Sequence, residues 1–225
     1  MKRYAIIVAG GKGERMNADL PKQFIAPRGT PLLMHTIAAF HAYDPAIELI
    51  VVLPSAQIDF WNTLCREHNF RIAHIVVKGG DTRFDSVKNG IAAVREAGVI
   101  AIHDGVRPLV SRATLENCFS TAENHGTAIP VVPLVDSLRK VENGNSFAVD
   151  RSCYFAVQTP QVFQSAILKT AYEQTYKPQF TDDATVVESL GIELNLVEGN
   201  RENIKITTPP DIRIAEVFLS DNVNR

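Results

Sequence analysis

Four short stretches of the chain, three of them containing glycine, set cations close to an aspartate in a pattern suited to phosphate chemistry. The first, AGGKGERMNADLPKQF (residues 9 to 24), follows the apolar run YAIIVA and sets Ala9, Gly10, Gly11 and Gly13 beside Arg15 and Lys22. Glycine-rich turns after a buried strand bring backbone N–H groups close to phosphates. A dinucleotide fingerprint would need a third glycine where Met16 stands, and an acid where Leu53 and Pro54 end the next strand. A GK[ST] triplet is also missing, so a Walker loop fails. What remains is a phosphate loop with its own cations, or an ordinary tight turn with solvated charges. Pro21 restrains the backbone just before Lys22, which favours the first reading.

The second stretch is KGGDTRFDSVKNG (78 to 90). Gly80 would let a flat base approach the backbone, with Asp81 and Ser86 in reach to bond it. The bland alternative is a helix N-terminus capped by Asp81 or Thr82. The third is IHDGVRP (102 to 108), where Asp104 directly follows a strand, a recurring place for a metal ligand or a ribose contact. Arg107 lies three residues on, and a structural Asp–Arg pair is the competing reading. The fourth, NIKITTPPD (203 to 211), holds Lys205 in a short strand-like piece. There it either serves a ligand or simply points outward from an edge strand. Together, Arg15, Lys22, Arg107, Lys205 and Asp104 suit two phosphorylated ligands and a divalent metal.

These residues must be positioned by strands and helices, and the rest of the chain supplies them. Its 225 residues match one domain with a sizeable core. Lys plus Arg is 23 against 25 for Asp plus Glu, a net charge of −2 that argues against a nucleic-acid binder. Cys65, Cys118 and Cys153 form no CxxC pair, and the histidines are scattered, so neither a disulfide framework nor a zinc site is indicated. No apolar stretch approaches the length of a membrane span, and the N-terminal apolar run is short for a signal peptide. A cytoplasmic protein is expected.

Strands are expected at Tyr4–Ala9, Ile47–Leu53, Ile72–Val77, Val99–His103, Thr127–Val132 and Ile192–Val197. Helices are expected at Phe84–Glu96, at Gln164–Tyr176, at Thr181–Leu190 with Thr181 as N-cap, and from Pro209 onward. Runs such as LIVVL are apolar on both alternating faces, the mark of a parallel sheet covered by helices on both sides. Ligands of such sheets sit at the carboxyl ends of the strands, where the four stretches fall. Residues 133 to 152 break this rhythm with two strand-like pieces flanking ENGN, a hairpin that must pack on the body or on a second subunit. One α/β domain over 1 to 225, with a protruding β-arm at about 134 to 152, is the simplest organisation.

GGKGERM with LPKQF, then GGDTRFDSV, HDGVRP, VDRS, QTPQVF, TDDATVVE and VEGNRENIKITTPPD occur in this order over nearly the whole chain. The sequence thereby resembles the 2-C-methyl-D-erythritol 4-phosphate cytidylyltransferases of the non-mevalonate isoprenoid pathway. The resemblance implies a Rossmann-like nucleotidyltransferase fold, a homodimer with exchanged arms, and transfer from CTP to a sugar-alcohol phosphate with Mg²⁺. By motif, it implies that Ala9, Gly10, Gly11 and Gly13 line the nucleotide, with Arg15 and Lys22 on the triphosphate. Gly80, Asp81 and Ser86 would read cytosine and hold their loop. Asp104, Gly105 and Arg107 would surround the ribose and the sugar phosphate, with Asp104 as a candidate metal ligand and Lys205 as a catalytic cation. Ser137 and Arg151 would reach the sugar phosphate in the partner subunit's site.

The chain departs from the family in reading Val8-Ala9-Gly10-Gly11 for the common Pro-Ala-Ala-Gly, Gly105-Val106 after the aspartate, and Ser137 for threonine. The Ala-Gly-Gly opening also occurs in ribitol 5-phosphate cytidylyltransferases, which leaves that acceptor as an alternative. A non-catalytic nucleotide sensor and an NAD-dependent oxidoreductase are the remaining rivals.

Overall fold

The computed structural model describes residues 1 to 10 and 20 to 221; Gly11, Gly13 and Arg15 lie outside the described residues. The first half of the chain alternates β1 (Lys2–Val8), α1 (Leu32–Tyr43), β2 (Glu48–Leu53), α2 (Ser55–Glu67), β3 (Ile75–Lys78), α3 (Arg83–Ala92) and β4 (Gly98–Asp104). Then come α4 (Arg112–His125) and β5 (Thr127–Pro133). Strands β3, β2, β1 and β4 lie side by side and all run parallel. Hydrophobic alternation explains why both faces are covered. Ala5 and Ile7 pack with Leu33, Phe40, Trp61 and Phe119 on one side, while Tyr4 and Ile6 pack with Phe84, Val87 and Leu168 on the other. Fully burying a side chain the size of Ile7, Leu33 or Phe40 contributes roughly 1.5–3 kcal/mol.

Past β5 the chain forms a hairpin of β6 (Leu138–Glu142) and β7 (Asn145–Val149), then β8 (Phe155–Val157) and β9 (Gln161–Gln164). Two short helices, α5 (Ser165–Ala171) and α6 (Asp183–Glu188), precede β10 (Leu196–Glu198) and the last helix α7 (Pro209–Asp221). The hairpin turn is Asn143–Gly144, both with positive φ (50° and 80°), the geometry that two-residue hairpin loops require. This hairpin is a separate two-stranded sheet, and it exposes Val141 and Phe147. None of the described helices is long and apolar enough to cross a membrane.

Several expected elements shift. Gln164, expected to open a helix, instead closes β9, which pairs antiparallel with both β4 and β5. Val162 and Phe163 are fully buried there because β9 lies between two strands, with helices on each face. The strand expected at Ile192–Val197 shrinks to β10, since Thr127 takes the preceding backbone by side-chain bonds to Glu193 and Asn195. The helices expected at Gln164–Tyr176 and Phe84–Glu96 are the shorter α5 and α3. Asp182, not Thr181, caps α6, its carboxylate accepting the Thr185 N–H at 2.9 Å. Lys205 sits in an irregular segment rather than a strand, held where Ile206 N–H donates to the Val106 carbonyl.

Candidate active site

Parallel register sets the carboxyl ends of four strands level. Val8 of β1 pairs with Val52 of β2 and with Asp104 of β4, and Leu53 pairs with Lys78 of β3. Backbone bonds carry this alignment into the loops: Ala9 N–H to Val52 O, Gly79 N–H to Leu53 O and Gly105 N–H to Val8 O, all at 2.8–2.9 Å. Ala9, Gly10, Gly80 and Gly105 therefore converge at one edge. Two adjoining cavities open there, of about 240 Å³ and about 170 Å³. Lys22, Gly10, Gly80, Asp81 and Ser86 line the larger, while Arg107, Thr159, Gln161 and Asp182 line the smaller. Arg83, Asp104 and Lys205 belong to both.

Asp104 organises the junction. Its Oδ2 accepts from Arg107 Nε at 3.2 Å and lies 3.1 Å from Lys205 Nζ. Burial pushes its carboxyl pKa up, but Lys205, Arg83 and Arg107 together overcome that and hold it well below the ordinary 3.8. The structural Asp–Arg pair is real, and a second cation shares it. Lys205 arrives by long-range bonding: Arg107 Nη1 donates to the Asn203 carbonyl at 2.7 Å, and Asn203 Nδ2 to the Thr159 carbonyl at 2.8 Å.

Beneath Asp104, its N–H donates to Thr159 Oγ1 at 3.1 Å, and that hydroxyl lies 3.0 Å from His103 Nδ1. His103 Nε2 faces the Arg107 carbonyl at 3.0 Å, so Nε2 carries the proton and the Thr159 hydroxyl donates to Nδ1. Burial pushes the His103 pKa from 6.5 down to about 4. A depressed histidine means that the unfolded chain binds a proton first as pH falls, so stability is lost between about pH 6.5 and 4. That window is worth about 3 kcal/mol. It lies above the Asp104 window, which opens only below the ordinary carboxylate pKa. The melting temperature should therefore drop by several degrees from pH 7 to pH 4.5, and His103→Asn should flatten the drop. Parallel profiles for the two proteins would refute this assignment.

In the larger cavity, Ser86 Oγ accepts the Gly80 N–H at 3.1 Å, so Ser86 holds the loop in place. Thr82 is the N-cap of α3, in a reciprocal box with Asp85, which leaves Asp81 exposed at the cavity wall. Lys22 opens a 3₁₀ turn, Lys22–Phe24, whose Gln23 is fully buried and donates to the Ala9 carbonyl at 2.8 Å. Phe24 anchors that turn by stacking on Trp61, 6.2 Å between centroids. Gly105 is tightly enclosed, since a Cβ there would sit 2.9 Å from the Ala9 Cβ and 3.2 Å from Leu33 Cδ1, and one of these neighbours would have to shift. Gly105→Ala should cost about 1–3 kcal/mol by overpacking. A calorimetric melt within about 1 °C of the parent would contradict this crowding.

A model of the 2-C-methyl-D-erythritol 4-phosphate cytidylyltransferase family matches residues 4 to 221. The chain belongs to that family. It is 53% identical over 219 residues to the family's enzyme from Bacteroides thetaiotaomicron, covering 97% of this chain and 100% of that one. To the enzyme from Porphyromonas gingivalis it is 49% identical over 220 residues, covering 97% and 98%. The crystal structure of 2-C-methyl-D-erythritol 4-phosphate cytidylyltransferase from Thermus thermophilus superposes with a TM-score of 0.78. It is 31% identical, covering 98% of this chain and 100% of that one.

Within the family frame, Ala9, Gly10, Lys22, Gly80, Asp81, Ser86, Asp104, Gly105, Arg107 and Lys205 gather at one strand edge. Ser137 and Arg151 do not join them. Both are exposed, outside the lining of either cavity, and Arg151 bonds the Val135 carbonyl at the base of the arm. Sequence reasoning assigned no role to Arg83, Thr159 or Asn203, and only a helix-start role to Asp183, although each lies in a quoted motif. Arg83 and Asp183 form a two-pronged ion pair at 2.9 and 2.7 Å across 100 residues of sequence. A pairing that distant leaves no local signal.

The donor set bears on Mg²⁺. Among the described residues no cluster of three or more His, Cys, Asp or Glu is arranged to hold a metal. Asp104 lines both cavities, and its Oδ2 takes both Arg107 Nε and Lys205 Nζ. This fits an ion that keeps its waters and is held mainly by phosphate oxygens with one carboxylate, the usual habit of Mg²⁺.

Proposed function

We propose that this protein is a cytoplasmic enzyme that transfers the cytidylyl group of CTP to 2-C-methyl-D-erythritol 4-phosphate, releasing pyrophosphate, in isoprenoid precursor biosynthesis. The observation that carries the reading is the pair of adjoining cavities meeting at Asp104 and Lys205. The larger suits a nucleotide and the smaller a phosphorylated alcohol. Gly10 and Gly80 offer close backbone approach to base and phosphates. Lys22, with Arg15, neutralises the triphosphate, and Lys205 and Arg107 hold the acceptor phosphate.

The acceptor is a phosphate monoester that already carries about −1.5 to −2 charges at neutral pH, so it needs no general base. One of its oxygens attacks the α-phosphorus in line, and the bond from that phosphorus to the bridging oxygen breaks, releasing pyrophosphate. The chain's part is to align two anions and screen their repulsion. Mg²⁺, which Asp104 and the triphosphate would hold, would supply further neutralisation.

The working form is a homodimer in which each arm completes the neighbouring site, with Ser137 and Arg151 reaching the sugar phosphate across the interface. The apolar side chains exposed on the arm and beside it, Val135, Phe147, Tyr154 and Phe155, favour such a partner. Phosphorus NMR of CTP, acceptor and Mg²⁺ with the protein tests the reaction. Pyrophosphate and a new diphosphodiester signal should grow together, and EDTA should stop both. Release of inorganic phosphate instead would contradict cytidylyl transfer.

A further inference from the structure

Arg83 stands where the two cavities meet, yet neither composition nor motif spacing gives it a task. It is the first residue of α3, and its guanidinium crosses to Asp183 near the start of α6. Nη1 donates to Asp183 Oδ1 at 2.9 Å and Nη2 to Oδ2 at 2.7 Å. Asp183 is fully buried, and its Oδ1 also accepts the Tyr172 hydroxyl at 2.6 Å. The plane of the guanidinium is thus fixed from behind by a carboxylate that is itself held on two sides.

A guanidinium carries five N–H donors. Asp183 takes two, one from each Nη, so three remain. Among the described residues no other hydrogen-bond partner of Arg83 is present. The side chain is 32% exposed, and it lines both cavities together with Asp104 and Lys205. A structural arginine that only braced α3 against α6 would have no reason to face both cavities. Donors that are preorganised, fork-shaped and positively charged suit phosphate oxygens.

We infer that Arg83 is a further catalytic residue, donating to the non-bridging oxygens of the α-phosphate as it passes from pyrophosphate to the acceptor, with Asp183 and Tyr172 as its positioning residues. The inference rests on the proposed cytidylyl transfer. In that step an acceptor oxygen bonds the α-phosphorus, the bond to the bridging oxygen breaks, and the electron pair leaves with pyrophosphate. No proton moves. Charge on the transferring phosphoryl oxygens is what a fixed guanidinium stabilises, and it does so more in the transition state than in bound CTP.

The test compares the full-length wild type with Arg83→Gln and Arg83→Lys, using CTP, 2-C-methyl-D-erythritol 4-phosphate and Mg²⁺. Calorimetry gives the CTP Kd and a thermal melt checks folding. Arg83→Gln should lower kcat by about 10²–10³ while the CTP Kd stays within about threefold. Arg83→Lys keeps the charge but not the fork, and should still lose at least ~30-fold in kcat. If Arg83→Gln does not fold, Arg83→Lys decides. A kcat within about threefold of wild type in the folded variant, or a loss confined to the CTP Kd, overturns the inference while leaving the proposed function intact. Silence of the wild type overturns both.

Discussion

Replacing Lys22 with alanine is expected to lower kcat by about 10²–10³ while CTP affinity changes far less, since the proposed task of Lys22 is to stabilise charge that builds during transfer. Two like unit charges ~4 Å apart repel by roughly 4 kcal/mol at an effective dielectric of ~20, and the acceptor phosphate must approach a triphosphate. Screening by cations is therefore the dominant demand on the site. Lys22 suits it because its turn is anchored twice, by Gln23 on the Ala9 carbonyl and by Phe24 on Trp61. Pro21 holds the entry to that turn in an extended conformation. Steady-state kinetics with a separate CTP titration checks this. A variant that binds CTP about tenfold more weakly with kcat intact would assign Lys22 to ground-state binding alone.

Mixing subunits should produce the second large effect. If the arms exchange as proposed, Arg151→Ala and Lys22→Ala homodimers should each be nearly inactive, since every site would lack one cation. In a mixed dimer, one site pairs an intact Lys22 with an intact Arg151 from the neighbour. After equal mixing and full exchange, activity should recover to roughly a quarter of wild type, as expected for one good site in half of the dimers. The exposed position of Arg151, outside both cavities of its own subunit, motivates the claim. Recovery absent after exchange has been shown by differential tagging would place Arg151 in its own subunit's site or outside catalysis.

What the sequence revealed follows from the range of each signal. LIVVL is apolar on both faces, so β2 was legible as a covered parallel strand, and its neighbours β1 and β4 likewise. Asn143–Gly144 is a local turn signal and marks the arm hairpin correctly. The strand β9 was not legible, because QVFQ leads straight into the SAILKTA helix and four residues show no period. The convergence of Asp104, Arg107 and Lys205 was expected from loops at strand ends; parallel register places Asp104, and the Arg107–Asn203 and Ile206–Val106 hydrogen bonds bring Lys205 to it. The supports of that cluster were hidden. Asn203, Thr159 and His103 act through hydrogen bonds spanning 44 to 96 residues, and neutral buried polar groups carry no pattern. Gly105 lies against the Ala9 Cβ, a close approach between two loops that no local pattern shows.

Initial-rate pyrophosphate release from CTP and Mg²⁺, with 2-C-methyl-D-erythritol 4-phosphate and ribitol 5-phosphate in parallel, tests the central claim most directly. Turnover dependent on the methylerythritol phosphate, with ribitol phosphate at background, is the result expected. Equal or preferential turnover with ribitol phosphate, or none with either acceptor, would contradict it.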